Sequence, residues 1–279
     1  MPKAPISGGE IYYESHGSGT PLLLISGLGG IANYWLPNVP TFAKRYRTII
    51  HDHHGIGQST HSLIRYSVDQ MTDDVLALMD HLKIDRAHVV GHSTGGAIGQ
   101  TMAVRHPDRL ISLVISSSWP KADAFFRRVF EARRELLMAA GASAYVRSTP
   151  VFLYPDWWIN ENIRLIEERE KPAIVNFPPR EIVANRIDAI LAFDRTADLP
   201  RVRTPTLILC AKDDVLTPTY YSRELARLIP GAEHVELDRG GNYCRLRTSR
   251  AGFHRPVLAR TSRRCADVGL VTISQSLKS

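Results

Sequence analysis

Ala87-His88-Val89-Val90-Gly91-His92-Ser93-Thr94-Gly95-Gly96-Ala97-Ile98 is the stretch that decides the fold. An apolar run of strand character leads into Gly91-His92-Ser93-Thr94-Gly95, and a helical segment to about residue 105 follows. The five central residues match G-x-S-x-G, a nucleophile elbow, in the strand–turn–helix context that gives the pattern its meaning. A serine on so sharp a turn needs glycines beside it, because neighbouring side chains would collide. Such a turn lifts the Ser93 hydroxyl to the C-terminal edge of a sheet, where the N-terminal amides of the next helix also point.

Working outward, residues 22–26, 48–52 and 110–115 read as buried strands, as do 206–210 and 234–237. A helix is expected over residues 68–82, with Met71, Val75, Leu78, Met79 and Leu82 on one stripe. Strand alternating with helix predicts a mostly parallel sheet covered on both faces. Between about 119 and 205 the alternation stops. Helical segments around 125–137, 163–170 and 180–193 predict an inserted helical lid, because the stretch is too long and too apolar for a loop. The expected division is therefore 1–118 and 204–242 for the two parts of the core, 119–203 for the lid, and 243–279 for an Arg-rich tail. There are no internal repeats.

Composition removes several classes of function. The 279 residues carry a net charge of +7, but residues 239–279 alone sum to +8 and residues 1–238 to −1. The body is neutral, and the basic tail holds only Tyr243 and Phe253 as aromatics, so a nucleic-acid partner is not expected. No apolar run approaches a membrane span and no secretory signal opens the chain, so a cytoplasmic protein without a membrane partner is expected. Cys210, Cys244 and Cys265 have no metal-ligand spacing, and their odd number opposes a disulfide framework. Cys210 lies in a strand-like run and reads as a small core residue. No metal and no cofactor are expected. The partner expected is a small-molecule substrate, and a homodimer is left open.

Three further stretches bear on chemistry. Ser26-Gly27-Leu28-Gly29-Gly30 follows the first buried strand, where the amides of Leu28 and Thr94 would form the two donors of an oxyanion hole. Ala211-Lys212-Asp213-Asp214-Val215-Leu216-Thr217-Pro218 ends a late strand. Its spacing to Pro218 favours Asp214 as the carboxylate that orients a base, with Asp213 the alternative. The base should follow the last strand, but that site reads Asp238-Arg239-Gly240-Gly241-Asn242. An asparagine amide cannot take a proton from serine, so Asn242 marks a degenerate base position. His254 lies twelve residues further on and reads as a surface residue, with a displaced base the alternative. His51, His53 and His54 close another strand as loop hydrogen-bonders, and His92 is expected to point away from the mouth and pack.

On these residues the chain resembles the α/β-hydrolase superfamily over roughly residues 10–241. Within it, the chain is most similar to the aminoacrylate hydrolases of pyrimidine utilisation. The likeness runs through Leu24-Ile25-Ser26-Gly27-Leu28-Gly29-Gly30 with Tyr34-Trp35-Leu36-Pro37, Ser26 standing where most relatives have histidine. It continues through Arg127-Arg128-Val129-Phe130-Glu131-Ala132-Arg133, Phe152-Leu153-Tyr154-Pro155-Asp156-Trp157 and Ile208-Leu209-Cys210-Ala211-Lys212-Asp213-Asp214.

The resemblance implies a cofactor-free enzyme converting 3-aminoacrylate to malonic semialdehyde and ammonia. A carboxylic-ester or enol-lactone hydrolase using a Ser93 acyl-enzyme is the alternative, and a catalytically impaired or ligand-binding member is the third reading. The departure begins at Asn242, where relatives read Gly-Gly-His before an amphipathic closing helix. Here Arg245, Arg247, Arg250 and Arg255 follow instead, which fits a divergent tail, a shifted reading frame or an inactivated copy. A mobile, poorly packed tail is expected beyond about residue 243.

Overall fold

The computed structural model describes residues 2–242. The expectations for the tail, including His254, Cys244 and Cys265, lie outside the described residues. An N-terminal hairpin of β1 (Lys3–Ile6) and β2 (Gly9–His16) leads to β3 (Pro21–Ile25), α1 (Val39–Phe42), β4 (Arg47–His51) and α2 (Val68–His81). Then come β5 (Ala87–His92), α3 (Thr94–Arg105) and β6 (Leu110–Ser116). The lid helices are α4 (Ala124–Leu153), α5 (Asp156–Glu161), α6 (Ile163–Val175) and α7 (Arg180–Leu191). The chain returns to the sheet through β7 (Thr206–Ala211), α8 (Thr219–Leu228) and β8 (Glu233–Leu237).

These strands form one sheet in the order β1-β2-β4-β3-β5-β6-β7-β8. It is antiparallel at the β1–β2 and β2–β4 pairs and parallel from β4 to β8. The chain winds from β3 to β4 in one direction and then crosses to β5 on the other side of β3. That reversal opens a crevice at the C-terminal ends of β3 and β5, where open α/β sheets place their ligands.

Strand alternation divides the core in two. Leu23, Ile25, Val89 and Ile115 join Met71, Val75, Met79, Ile98 and Met102 of α2 and α3. Leu22, Leu24, Val90 and Val114 face the opposite side with Trp35, Val39 and Phe42. A one-residue slip of any central strand would exchange the two sets. The stripe expected on α2 is the buried one, and Ser67 caps the helix by accepting from the Gln70 amide at 3.0 Å.

The lid departs in detail from the sequence expectation. Helix α4 runs well past residue 137, because Ala139, Ala140, Ala142 and Ala144 favour helix, and it bends at Gly141 (φ 81°). Helix α5 had no counterpart in the sequence reading. Against the expectation that no run approaches a membrane span, α4 is long and apolar enough to pass that test by length and composition. Its break at Gly141 and its packing on α7 fit a lid helix.

Candidate active site

Ser93 sits between β5 and α3 with φ 53° and ψ −115°, a conformation that L-residues rarely hold and that marks stored backbone strain. Both neighbouring glycines are required by close approach. A Cβ on Gly91 would meet the Gly95 carbonyl oxygen at 2.1 Å, and one on Gly95 would meet the Ile25 carbonyl oxygen at 2.2 Å. The Ser93 amide donates to the Ser116 carbonyl at 2.8 Å, so the strained turn is held by the β6 ladder. Thr94 opens α3, a position whose amide has no acceptor within its own helix.

The loop after β3 closes on this serine. A Cβ built on Gly27 would lie 3.2 Å from Ser93 Cβ and 3.6 Å from Ser93 Oγ. The turn is tightened by the Gly30 amide donating to the Gly27 carbonyl at 2.9 Å. Leu28 and Thr94 therefore flank Ser93 at the same edge of the sheet, on the loop ends of adjacent parallel strands.

Asp214 follows β7 and is 3% exposed. Its carboxylate accepts from the Leu216 amide at 2.9 Å, the Thr217 amide at 2.8 Å and the Thr217 hydroxyl at 2.7 Å. Burial outweighs these bonds and pushes its pKa up to about 6. Asn242 is 1% exposed, and its Nδ2 donates to Asp214 Oδ2 at 3.1 Å and to Thr217 Oγ1 at 2.9 Å. The amide thus makes the bond to Asp214 that a ring N–H of a base would make. Asp213 has a different task. Its Oδ1 accepts from the Gly240 and Gly241 amides, both at 2.8 Å, and ties down the loop that delivers Asn242.

His51, His53, His54 and His92 are buried, and burial lowers the pKa of each. His92 stacks on Tyr34 at 4.8 Å between centroids, and burial drives its pKa down to about 3. His51 stacks on His53 at 5.2 Å, and burial with the Arg186 charge lowers it to about 4. Cys210 is fully buried, and burial raises its thiol to about 11. Among the described residues no three His, Cys, Asp or Glu side chains group as metal ligands. Of the aromatic residues, Trp35 and Trp119 are core, Tyr154 stacks on Trp158 and Trp157 lies beneath Arg239. An open groove of about 680 Å³ with Arg86, His88 and Arg203 in its wall lies at the opposite edge, where β5 and β7 begin, and holds none of the site residues.

Arg186 of α7 escaped the sequence reading. It is fully buried, and it donates to the His54 carbonyl at 3.0 Å, the Leu28 carbonyl at 3.1 Å and His53 Nδ1 at 2.9 Å. The available signal was an arginine spaced three or four residues from Ile182, Val183 and Ile190, on the buried stripe of its helix.

A parallel sheet with a serine elbow after β5, an inserted lid before β7 and a carboxylate after β7 is the architecture of one family. The profile of the α/β hydrolase fold matches residues 20–243, and the chain belongs to that family. It shares 43% identity over 87% of its length, and 91% of the relative's, with "Putative carbamate hydrolase RutD" of Azorhizobium caulinodans. A protein of the same name from Caulobacter segnis is 40% identical over 83% of this chain and 89% of its own. Among solved structures, an enol-lactonase from Burkholderia xenovorans LB400 superposes with a TM-score of 0.78 at 28% identity, covering 85% of this chain and 91% of that one. Family and relatives together make this chain a hydrolase-type protein.

Proposed function

We propose that this chain is an aminoacrylate-type hydrolase of pyrimidine degradation, adding water to 3-aminoacrylate to release ammonia and malonic semialdehyde. The observation that carries the reading is the side chain on Asp214. It is an amide, Asn242, and an amide cannot activate Ser93 for acyl transfer. An enamine has no such need: it tautomerises to an imine, water adds, and ammonia leaves the carbinolamine without an acyl-enzyme. In this reading the Leu28 and Thr94 amides hold a substrate oxygen, Ser93 orients the attacking water, and Asp214 fixes Asn242. Relatives named for carbamate hydrolysis support the class, since carbamate is also a small anion that yields ammonia.

The alternative, ester or enol-lactone cleavage through a Ser93 acyl-enzyme, is supported by the strained elbow and by the enol-lactonase likeness. A member impaired by loss of its base keeps the same pocket for binding. Ammonia release from aminoacrylate, with no labelling of Ser93 by a fluorophosphonate, supports the first reading. Labelling of Ser93 supports the second, and silence in both assays supports the third.

A further inference from the structure

Arg186 is a buried cation with an unusual set of partners. Burial lowers its pKa only to about 10, so it stays charged at neutral pH. None of the ion pairs among the described residues includes it. Asp74 of α2 is the carboxylate whose charge acts on it, and burial raises the pKa of Asp74 to about 7. Tyr66 lies under the guanidinium, 5.6 Å from ring centroid to Cζ. Its hydrogen bonds go instead to two backbone carbonyls and one ring nitrogen, contributed by the loops after β3 and β4. A buried charge so held is costly unless its geometry serves something, and one carbonyl it grips is that of Leu28, which directly follows the Gly27 that closes on Ser93.

Arginine only donates, so His53 Nδ1 is the acceptor and the His53 proton resides on Nε2. His53 is tied in turn to the glycine loop: its amide donates to the Gly30 carbonyl at 2.8 Å, and a Cβ on Gly30 would meet His53 Cβ at 2.9 Å. The guanidinium fork therefore fixes the 26–30 loop twice, directly at Leu28 and through His53 at Gly30. The anchor stands on lid helix α7.

We propose that Arg186 is a positioning residue: from the lid it clamps the loop carrying the Leu28 amide and sets the His53 tautomer, so that lid seating and oxyanion-hole geometry are one event. The inference rests on the reading of Leu28 as an oxyanion donor. Lysine keeps the charge but carries its donors on one nitrogen, whereas Arg186 divides its acceptors between Nη1 and Nη2, so Arg186→Lys separates geometry from charge.

The test uses ¹⁵N-labelled full-length protein and its Arg186→Lys and Ile187→Val variants, the last a control in the same buried helix face. In the wild type, His53 should show a proton on Nε2, a bare Nδ1 and no titration between pH 5 and 8, which requires no variant. Arg186→Lys should abolish that signature and broaden the Leu28 and Gly29 amides. In an Asn242→His background it should lower kcat for p-nitrophenyl acetate about 10-fold with KM within about twofold, as small misplacements of reacting groups do. Ile187→Val should do none of these. A His53 proton on Nδ1, unperturbed Leu28 and Gly29 amides in Arg186→Lys, or an equal kcat loss in Ile187→Val would overturn the proposal. If Asn242→His is inactive while the NMR signatures hold, the base position has been misread and the Arg186 clamp stands.

Discussion

The Ser93 turn and the Asn242 turn face the same problem with opposite outcomes. Each must deliver one side chain to the catalytic edge, and each is held by specific contacts: Ser93 through Gly91, Gly95 and the Ser116 carbonyl, Asn242 through Asp213. At Ser93 the backbone strain and the functional side chain agree. At Asn242 the loop is anchored and the side chain donates to Asp214, and in the proposed reading that amide cannot accept a proton from Ser93. In that reading scaffold and chemistry are separable: a site keeps its geometry through the backbone while one residue changes what the geometry can do.

The strongest way to break this comparison is to supply the missing chemistry. Asn242→His should raise p-nitrophenyl ester hydrolysis by ~10²–10⁴-fold, the usual contribution of a general base, with the new ring oriented by Asp214. Adding Ser93→Ala to that variant should return the rate to background, which distinguishes triad chemistry from catalysis by an added imidazole. An unchanged rate in folded Asn242→His would show that more than one side chain separates the two turns.

The next effect lies on the serine side. Gly95→Ala should cost about 3 kcal/mol, the upper range for overpacking, because its Cβ meets backbone that cannot move without distorting β3. Urea unfolding measures this, and a cost below about 1 kcal/mol would show the elbow to be less constrained than its contacts suggest.

On the other side, Asp214 gives the comparison a pH signature. Its folded pKa of about 6 lies above the unfolded value, so the folded state holds the proton more tightly. Its contribution to stability is full below about pH 4 and falls as pH rises through 6, by roughly 3 kcal/mol. Asp214→Asn should remove that slope from plots of unfolding free energy against pH. Asn242→His should shrink it, because a protonated imidazole adds a positive charge beside Asp214 that the amide donor lacks and so favours the ionised carboxylate.

The smallest effect expected is on the anchor. Asp213→Ala leaves two half-buried amides without their acceptor and should cost ~1–2 kcal/mol. In the Asn242→His background it should also reduce the restored rate, since the loop would no longer hold the ring in place. A rate unchanged by Asp213→Ala would show that Asp214 alone positions residue 242.

The sequence by itself determined the fold, because strand and helix periods are local and the elbow needs its glycines wherever it occurs. Val89, Val90 and Gly91 before the serine and the apolar runs of the other strands were enough for a parallel sheet with an inserted lid. Position 242 was legible as the candidate base position, since it follows the last strand by a countable step, and its hydrogen bond to Asp214 supports that proposal. What the two aspartates do was decided only in three dimensions. Asp213 and Asp214 are neighbours of one charge, and only the folded loops send one to backbone amides and the other to Asn242. Arg186 was illegible for the same reason: a charge on an apolar stripe has no meaning until the carbonyls of Leu28 and His54, more than 130 residues earlier, converge on it.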